Sequence, residues 1–262
     1  YKFMVGDVRE KDRLNLAIRD VDIVYHAAAM KHIDICEENP FDAVKTNVVG
    51  TSNILESAII EGVKKFVFIS TDKATNPTST LGGSKLLAER LTLDASSYVK
   101  NNKTIFSIVR FGNVIGSRGS VFQIFQNQIK NKKPLTVTDK RMTRFIMSIS
   151  SAASMILKVT SISNSGEIYI LKMPSIKIED LAKGMVIVYG KRFPNYGNSI
   201  KIKISKTRER ERFSELLISN DELSFCHDVG DMYKVSKVEN KKRLSIKEFD
   251  SATAKKITQK KL

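Results

Sequence analysis

The chain has 262 residues, 42% of them hydrophobic, with 13 Gly and 5 Pro. That length and composition allow one large α/β domain, or a domain and a lobe, and exclude a fibrous or low-complexity protein. No window approaches the ~18 apolar residues of a membrane span, and nothing resembles a signal peptide, so a cytoplasmic protein without a membrane segment is expected. The formal net charge is +16, with much of the excess beyond Lys234. These basic residues are not interleaved with aromatic stacking platforms, so no nucleic-acid partner is expected, whereas a basic cleft suits a diphosphate. Cys36 and Cys226 lie far apart without metal-ligand spacing, and read as reduced thiols with no metal.

Residues 2–5 form a short apolar run that reads as a strand, closed by Gly6-Asp7-Val8-Arg9. Residues 11–20 have helical spacing. Residues 22–27, DIVYHA, read as a buried strand ending in Ala27-Ala28-Ala29-Met30-Lys31-His32, where small residues let a flat ligand approach the backbone. Pro40 suits the first turn of a helix that runs through Asn47, Gly50 and Thr51 to Glu61, and Gly62 stops it.

Residues 66–70, FVFIS, are apolar and β-branched enough for a buried parallel strand. This strand ends in Ser70-Thr71-Asp72-Lys73, a cluster of proton-transfer groups. A turn containing Pro77 and a helix over residues 82–100 follow, then a strand over 104–110 and the glycine-rich loop Phe111 to Gly119. The β-α-β-α-β alternation predicts a doubly wound parallel sheet with right-handed crossovers. Open α/β sheets bind ligands outside the carboxyl ends of their strands, so Asp72 and Lys73 mark a candidate site.

From Val121 the rhythm changes. A helix to Asn131, short segments at 134–138 and 141–145, and a helix over 151–159 are expected. A strand at 167–171, a helix at 178–189, a strand at 200–204 and a short helix at 211–217 follow. This pattern suggests a partial Rossmann-like domain over 1–133, a smaller α/β lobe over 134–235 whose chain crosses back to the sheet, and a basic, flexible tail over 236–262.

Seven stretches in fixed order carry a resemblance. They are Gly6–Arg9, HAAAMKHID from His26, NVVGTSNILESA from Asn47, FISTDKATNP from Phe68, RFGNVIGSRGSV from Arg110, MTRFIM from Met142, and KMPSIKIEDLAKGM from Lys172. The sequence resembles the extended short-chain dehydrogenase/reductase superfamily, in particular CapD-like polysaccharide biosynthesis proteins of the inverting UDP-N-acetylglucosamine 4,6-dehydratase type. The resemblance holds from about residue 1 to 223.

The resemblance implies NAD or NADP as cofactor, a UDP-sugar as substrate, and a homo-oligomer. It implies that Asp72 is the acid at C6 of the sugar, Lys73 the base at C5, and Thr71 a hydrogen-bonding partner of the C4 hydroxyl. Lys85 resembles the lysine on the nicotinamide ribose. Asp7 and Val8 resemble the pair that contacts adenine, Ala27, Ala28 and Lys31 the loop along the cofactor, Asn47 the bracing asparagine, and Ser70 the strand-end serine. Asn113 and Val114 look like substrate and nicotinamide contacts, while Arg118, Val121, Arg144 and Arg208 are similar to uridine-diphosphate contacts.

Two departures accompany it. The family opens with a strand and a glycine-rich GxxGxxG phosphate turn, and this chain opens at what resembles a third strand, so a partial chain is expected. The superfamily signature YxxxK reads Leu81-Gly82-Gly83-Ser84-Lys85, with the lysine in place and an apolar residue where the tyrosine stands. Some CapD-like dehydratases carry Met there. The competing readings are a UDP-sugar 4-epimerase on the same fold and a non-catalytic member of the family.

Overall fold

A computed structural model describes residues 2–99, 104–192, 200–205, 210–241, 244 and 249–257. The chain divides into two compact units. The first holds residues 1–111, 154–172 and 217–248, and the second 112–153, 173–216 and 249–262.

The first unit opens with helix α1 (Lys11–Ile18), strand β1 (Ile23–His26), and helices α2 (Ile33–Glu38) and α3 (Pro40–Val44). A π-helical turn (Lys45–Val49) then leads into α4 (Gly50–Ile60). Pro40 starts α3, and Gly62, at φ +68°, closes the exit from α4. Strand β2 (Lys65–Thr71), helix α5 (Thr80–Asp94) and strand β3 (Ile105–Phe111) complete the alternation. β1, β2 and β3 pair in parallel, as the alternation requires.

The second unit takes β4 (Asn113–Val114), α6 (Val121–Lys130), β5 (Leu135–Val137) and β6 (Thr143–Met147). After α7 (Ile149–Ile162) the chain returns to the first sheet as β7 (Glu167–Leu171), parallel to β3. It then supplies β8 (Ser175–Lys177), α8 (Ile178–Arg192) and β9 (Ile202–Ile204) to the second unit. Beyond β10 (Leu216–Ile218), strands β11 (Cys226–Asp228) and β12 (Met232–Val235) form an antiparallel hairpin. The hairpin extends the first sheet to the order β1-β2-β3-β7-β12-β11.

Both faces of the parallel sheet are covered. Val67 and Val109 pack with Met155, Val159, Tyr169 and Met232 on one side. On the other, the rings of His26, Phe66 and Phe106 approach one another, Phe66 and Phe106 at 5.6 Å. Burial on both faces explains why β2 reads as a continuous apolar run. The second unit has its own core, in which Phe125 and Ile129 of α6 and Leu181 and Met185 of α8 enclose Leu135, Val137, Ile146 and Ile176.

Four expectations change. Residues 2–5 form no strand, with Phe3 97% and Val5 93% exposed. An apolar run becomes a strand only when its backbone finds a ladder partner, and this one finds none among the described residues. The predicted helix at 211–217 is irregular chain leading into strand β10, whose three residues are all buried. The helix expected through Asn47 is interrupted by the π turn. The stretch expected as a flexible basic tail is docked where it is described: β13 (Phe249–Asp250) stacks Phe249 on Phe145 at 4.8 Å, and buried Ser251 hydrogen-bonds Thr143 at 2.9 Å. Backbone bonds anchor it as well, Ser251 N donating to the Glu215 carbonyl and Ile257 N to the Ser175 carbonyl, and such pairing leaves no periodicity in the sequence.

Candidate active site

Strand β2 delivers its last residues to the carboxyl edge of the sheet, where a 3-10 turn (Asp72–Ala74) begins. Thr71 caps that turn by accepting from the Lys73 amide at 3.4 Å. The Thr71 hydroxyl donates to Asp72 Oδ1 at 2.9 Å, and Lys73 Nζ donates to the same oxygen at 2.9 Å. Asp72 is 1% exposed at its side chain and Lys73 22%, so the amine stands in front and the carboxylate behind. Asp72 Oδ2 is buried and accepts no hydrogen bond among the described residues.

Helix α5 packs on this turn. Ser79 caps it, its hydroxyl accepting from the Gly82 amide at 3.1 Å. Gly82 is required there by space: a Cβ would lie 2.5 Å from the Lys73 carbonyl oxygen and 2.9 Å from Pro77 Cβ. Three residues on, Lys85 is buried and donates to the Ile69 carbonyl at 2.8 Å, with its Nζ 4.1 Å from the centre of the Phe68 ring. Burial pushes the Lys85 ammonium down to about 8, against an opposing pull from Glu89.

Asn47 clamps two elements. Its amide accepts from Met30 N at 2.8 Å and donates to Met30 O at 3.1 Å, fixing the loop after β1. The same amide nitrogen donates to Ser84 Oγ on α5 at 2.9 Å. The π turn aims Asn47 inward, a use such turns often have at functional sites. His26 at the end of β1 is structural. Thr51 spends its hydroxyl proton on the Asn47 carbonyl, so His26 Nε2 donates to Thr51 at 2.9 Å. Burial first, and the Lys85 charge second, lower the His26 imidazolium to about 3 and keep the ring neutral.

Leu81 is 3% exposed and lies in an apolar cluster with Cys36, Ala43, Met30 and Ile33. Burial pushes the Cys36 thiol up to about 11, leaving it inert. Ser70 donates to Glu89 Oε1 at 2.5 Å, and Glu89 is paired with the buried Arg110. Glu89, Arg110 and their further partner Glu222 carried no sequence signal as site residues, because each is an ordinary charged position until β3, α5 and the chain beyond β10 come together.

The remaining candidates are placed as follows. Asp7 is held by Arg9, which keeps its carboxyl down at about 2. Val8 packs on Gly50, where a Cβ would come within 2.6 Å of Val8 Cγ2, and Asn53 donates to the Val8 carbonyl at 3.1 Å. Ala27, Ala28 and Lys31 are exposed on the loop that Asn47 fixes. In the second unit, Asn113 and Val114 form β4, and Asn113 Oδ1 is buried without a described partner. Arg118 is exposed, and Val121 opens α6 and packs on the unit's core. Arg144 is 8% exposed and faces Glu211 and Glu215, each at 3.6 Å, so its charge is already met inside the unit. Arg208 lies outside the described residues. Among the described residues no group of His, Cys, Asp and Glu could hold a metal ion, and no helix is long and apolar enough to cross a membrane.

Comparison with known proteins gives the family of the chain. A family described as "Polysaccharide biosynthesis protein" matches residues 1–237. The chain is 50% identical over 234 residues to an uncharacterized membrane protein of Methanocaldococcus jannaschii, covering 88% of this chain and 69% of that protein. It is 40% identical over 236 residues to the inverting UDP-N-acetylglucosamine 4,6-dehydratase of Campylobacter jejuni, covering 90% and 67%. It is 38% identical over 234 residues to the UDP-glucose 4-epimerase of Rickettsia bellii, covering 89% and 67%. The crystal structure of Pen from Bacillus thuringiensis superposes with a TM-score of 0.92 at 39% identity, over 98% of this chain and 78% of that one. The chain thus spans about two-thirds of the curated relatives, and it belongs to the polysaccharide biosynthesis protein family, which groups it with nucleotide-sugar dehydratases and epimerases.

Proposed function

We propose that this protein is a 4,6-dehydratase acting on UDP-N-acetylglucosamine or a similar UDP-sugar. The Asp72–Lys73 pair carries the reading: a carboxylate and an amine meet at 2.9 Å at the end of a parallel strand. A 4-keto sugar has an acidic C5 proton, and its dehydration needs a base at C5 and an acid for the C6 hydroxyl. An epimerase needs no such pair, but relies on a tyrosine at the position where this chain buries Leu81.

A nicotinamide dinucleotide, NAD or NADP, supplies the hydride acceptor and donor when bound. The residues present suit one. Ala27 and Ala28 leave the exposed edge after β1 flat, Asn47 fixes that loop, and Lys85 sits buried beside the end of β2. In this reading Thr71 hydrogen-bonds the C4 hydroxyl, and Lys73 removes the C5 proton and later returns a proton there. Asp72 protonates the departing C6 hydroxyl, its Oδ2 accepting no hydrogen bond among the described residues. Lys73 acts as a base only when deprotonated, a state that desolvation of the amine by bound substrate favours. Asn113, Val114, Arg118 and Val121, which the resemblance assigns to the UDP-sugar and nicotinamide, belong to the second unit, where Asn113 Oδ1 is buried without a described partner. Arg144 serves better as an internal brace, since a diphosphate would have to displace two carboxylates.

Incubation with UDP-N-acetylglucosamine and either dinucleotide, followed by mass spectrometry, tests the reading. Loss of about 18 Da identifies dehydration. An isomer of unchanged mass would establish the epimerase that the Rickettsia relative's name suggests, and overturn the dehydratase. Lys73→Ala is expected to abolish water loss and leave dinucleotide binding intact. Turnover surviving that change removes Lys73 as the base.

A further inference from the structure

Behind the strand end lies a buried row of alternating charge that no step above uses. Arg110 donates from Nε and Nη2 to Glu89 at 3.1 and 2.7 Å. From Nη1 and Nη2 it donates to Glu222 at 3.0 Å each, and from Nη1 to the Leu217 carbonyl at 2.9 Å. All five of its N–H bonds thereby have acceptors. The guanidinium is 1% exposed, Glu89 2% and Glu222 19% at their side chains. Flanking carboxylates hold Arg110 charged despite its burial.

Glu89 stands one helical turn beyond Lys85 on α5, and its Oε1 also accepts from Ser70, the residue ahead of Thr71-Asp72-Lys73. The other partners of Lys85, the Ile69 carbonyl and the Phe68 ring, carry no charge. Two buried cations, Lys85 and Arg110, are therefore balanced by two carboxylates, Glu89 and Glu222. If Glu222 is missing, Glu89 is shared between Arg110 and Lys85; if Glu89 is missing, Lys85 loses the carboxylate that favours its charge. Breaking a buried charge network on one side leaves an uncompensated ion.

We propose that Glu89, locked by Arg110 and Glu222, is a positioning residue of the site: it anchors the end of β2 through Ser70 and supplies the counter-charge of Lys85. The kinetic part of this inference rests on the dehydratase reading, whereas the electrostatic part stands on the unliganded protein. The titratable groups around Lys85 are Glu89 on its own helix, Arg110 beyond it on β3, neutral His26 on β1, and the Asp72–Lys73 pair in the turn packed on α5.

The test is the titration of the Lys85 side chain by nitrogen-15 lysine NMR in the protein without ligand, beside the pH dependence of turnover. Wild type is expected to titrate near 8. Glu89→Gln is expected to move that midpoint down by about one unit or more, because only the charge that favours the ammonium is lost. The alkaline limb of kcat/KM moves down with it, giving roughly fivefold lower activity near pH 8 for a one-unit shift and a smaller loss at lower pH. Ser70→Ala, which removes only the anchor, is expected to leave the Lys85 midpoint in place and lower kcat with little change in KM. Should Glu89→Gln fail to fold, Glu222→Gln, at a more exposed position, is expected to move the midpoint the same way by less. A folded Glu89→Gln with an unmoved Lys85 midpoint overturns the proposal, as does an unchanged midpoint in Glu222→Gln if only that variant folds. If wild type dehydrates no UDP-sugar, the dehydratase reading fails while the NMR result still decides the role of Glu89.

Discussion

Leu81 and Lys73 show how much one side chain decides. Leu81 stands where the superfamily signature has its tyrosine, yet it is sealed between Cys36, Ala43, Met30 and Ile33. An apolar residue there belongs to a packed cluster and is no longer a proton-exchanging group. Leu81→Tyr is therefore expected to destabilise by about 1–3 kcal/mol through overpacking, and to leave the product unchanged. Thermal unfolding and product mass check this; a stable variant that yields a 4-epimer would show that the cluster yields and that the phenol reaches the sugar. The Asp72–Lys73 pair was legible in sequence because both residues follow directly on an apolar strand. Arg144 was legible as a candidate, but not its engagement with Glu211 and Glu215, which lie some seventy residues away in the chain.

Strand β2, its turn and helix α5 act as one element, and Gly82 is the seam. The first turn of α5 lies against the Lys73 backbone so closely that a single methyl group would sit 2.5 Å from its carbonyl oxygen. That contact sets the spacing between Lys73 on the turn and Lys85 on the helix. Gly82→Ala is expected to cost about 1–3 kcal/mol by forcing the turn and helix apart, and to lower kcat at least about tenfold, one tenfold step being ~1.4 kcal/mol in the barrier. Turnover equal to wild type in a folded Gly82→Ala protein would show that the turn gives way without moving Lys73. The strand and the helix were both readable from periodicity. Their contact was not, because a glycine at the start of a predicted helix carries no mark of the backbone that will lie against it.

Unfolding of the whole molecule couples to acid through His26. Its imidazolium is lowered from the ordinary 6.5 to about 3 by burial and by Lys85. The unfolded chain therefore binds a proton that the folded chain refuses throughout that window. Stability is full above about pH 6.5 and falls as the pH drops toward 3, by at most ~1.4 kcal/mol per unit from this one group. Urea midpoints measured between pH 7 and 4 are expected to fall steeply in wild type and less steeply in His26→Gln. Parallel slopes in the two proteins would place the acid sensitivity elsewhere.

What the amino-acid order determined by itself is the alternation of the first unit and the placing of Thr71, Asp72 and Lys73 at the end of β2. Hydrophobic runs of strand length, glycine and proline stops, and a Thr-Asp-Lys cluster are local facts, and local facts survive without a partner. Tertiary structure decided whatever needed one. Residues 2–5 found no ladder partner among the described residues, and the segment around Phe249 was held by ring stacking and by backbone bonds to the chain near Glu215 and Ser175. The π turn aimed Asn47, and the hairpin of β11 and β12 extended the sheet antiparallel. It also decided that Glu89, Arg110 and Glu222 form one buried network, since the cost of burying charge is met only when distant carboxylates and cations are folded together.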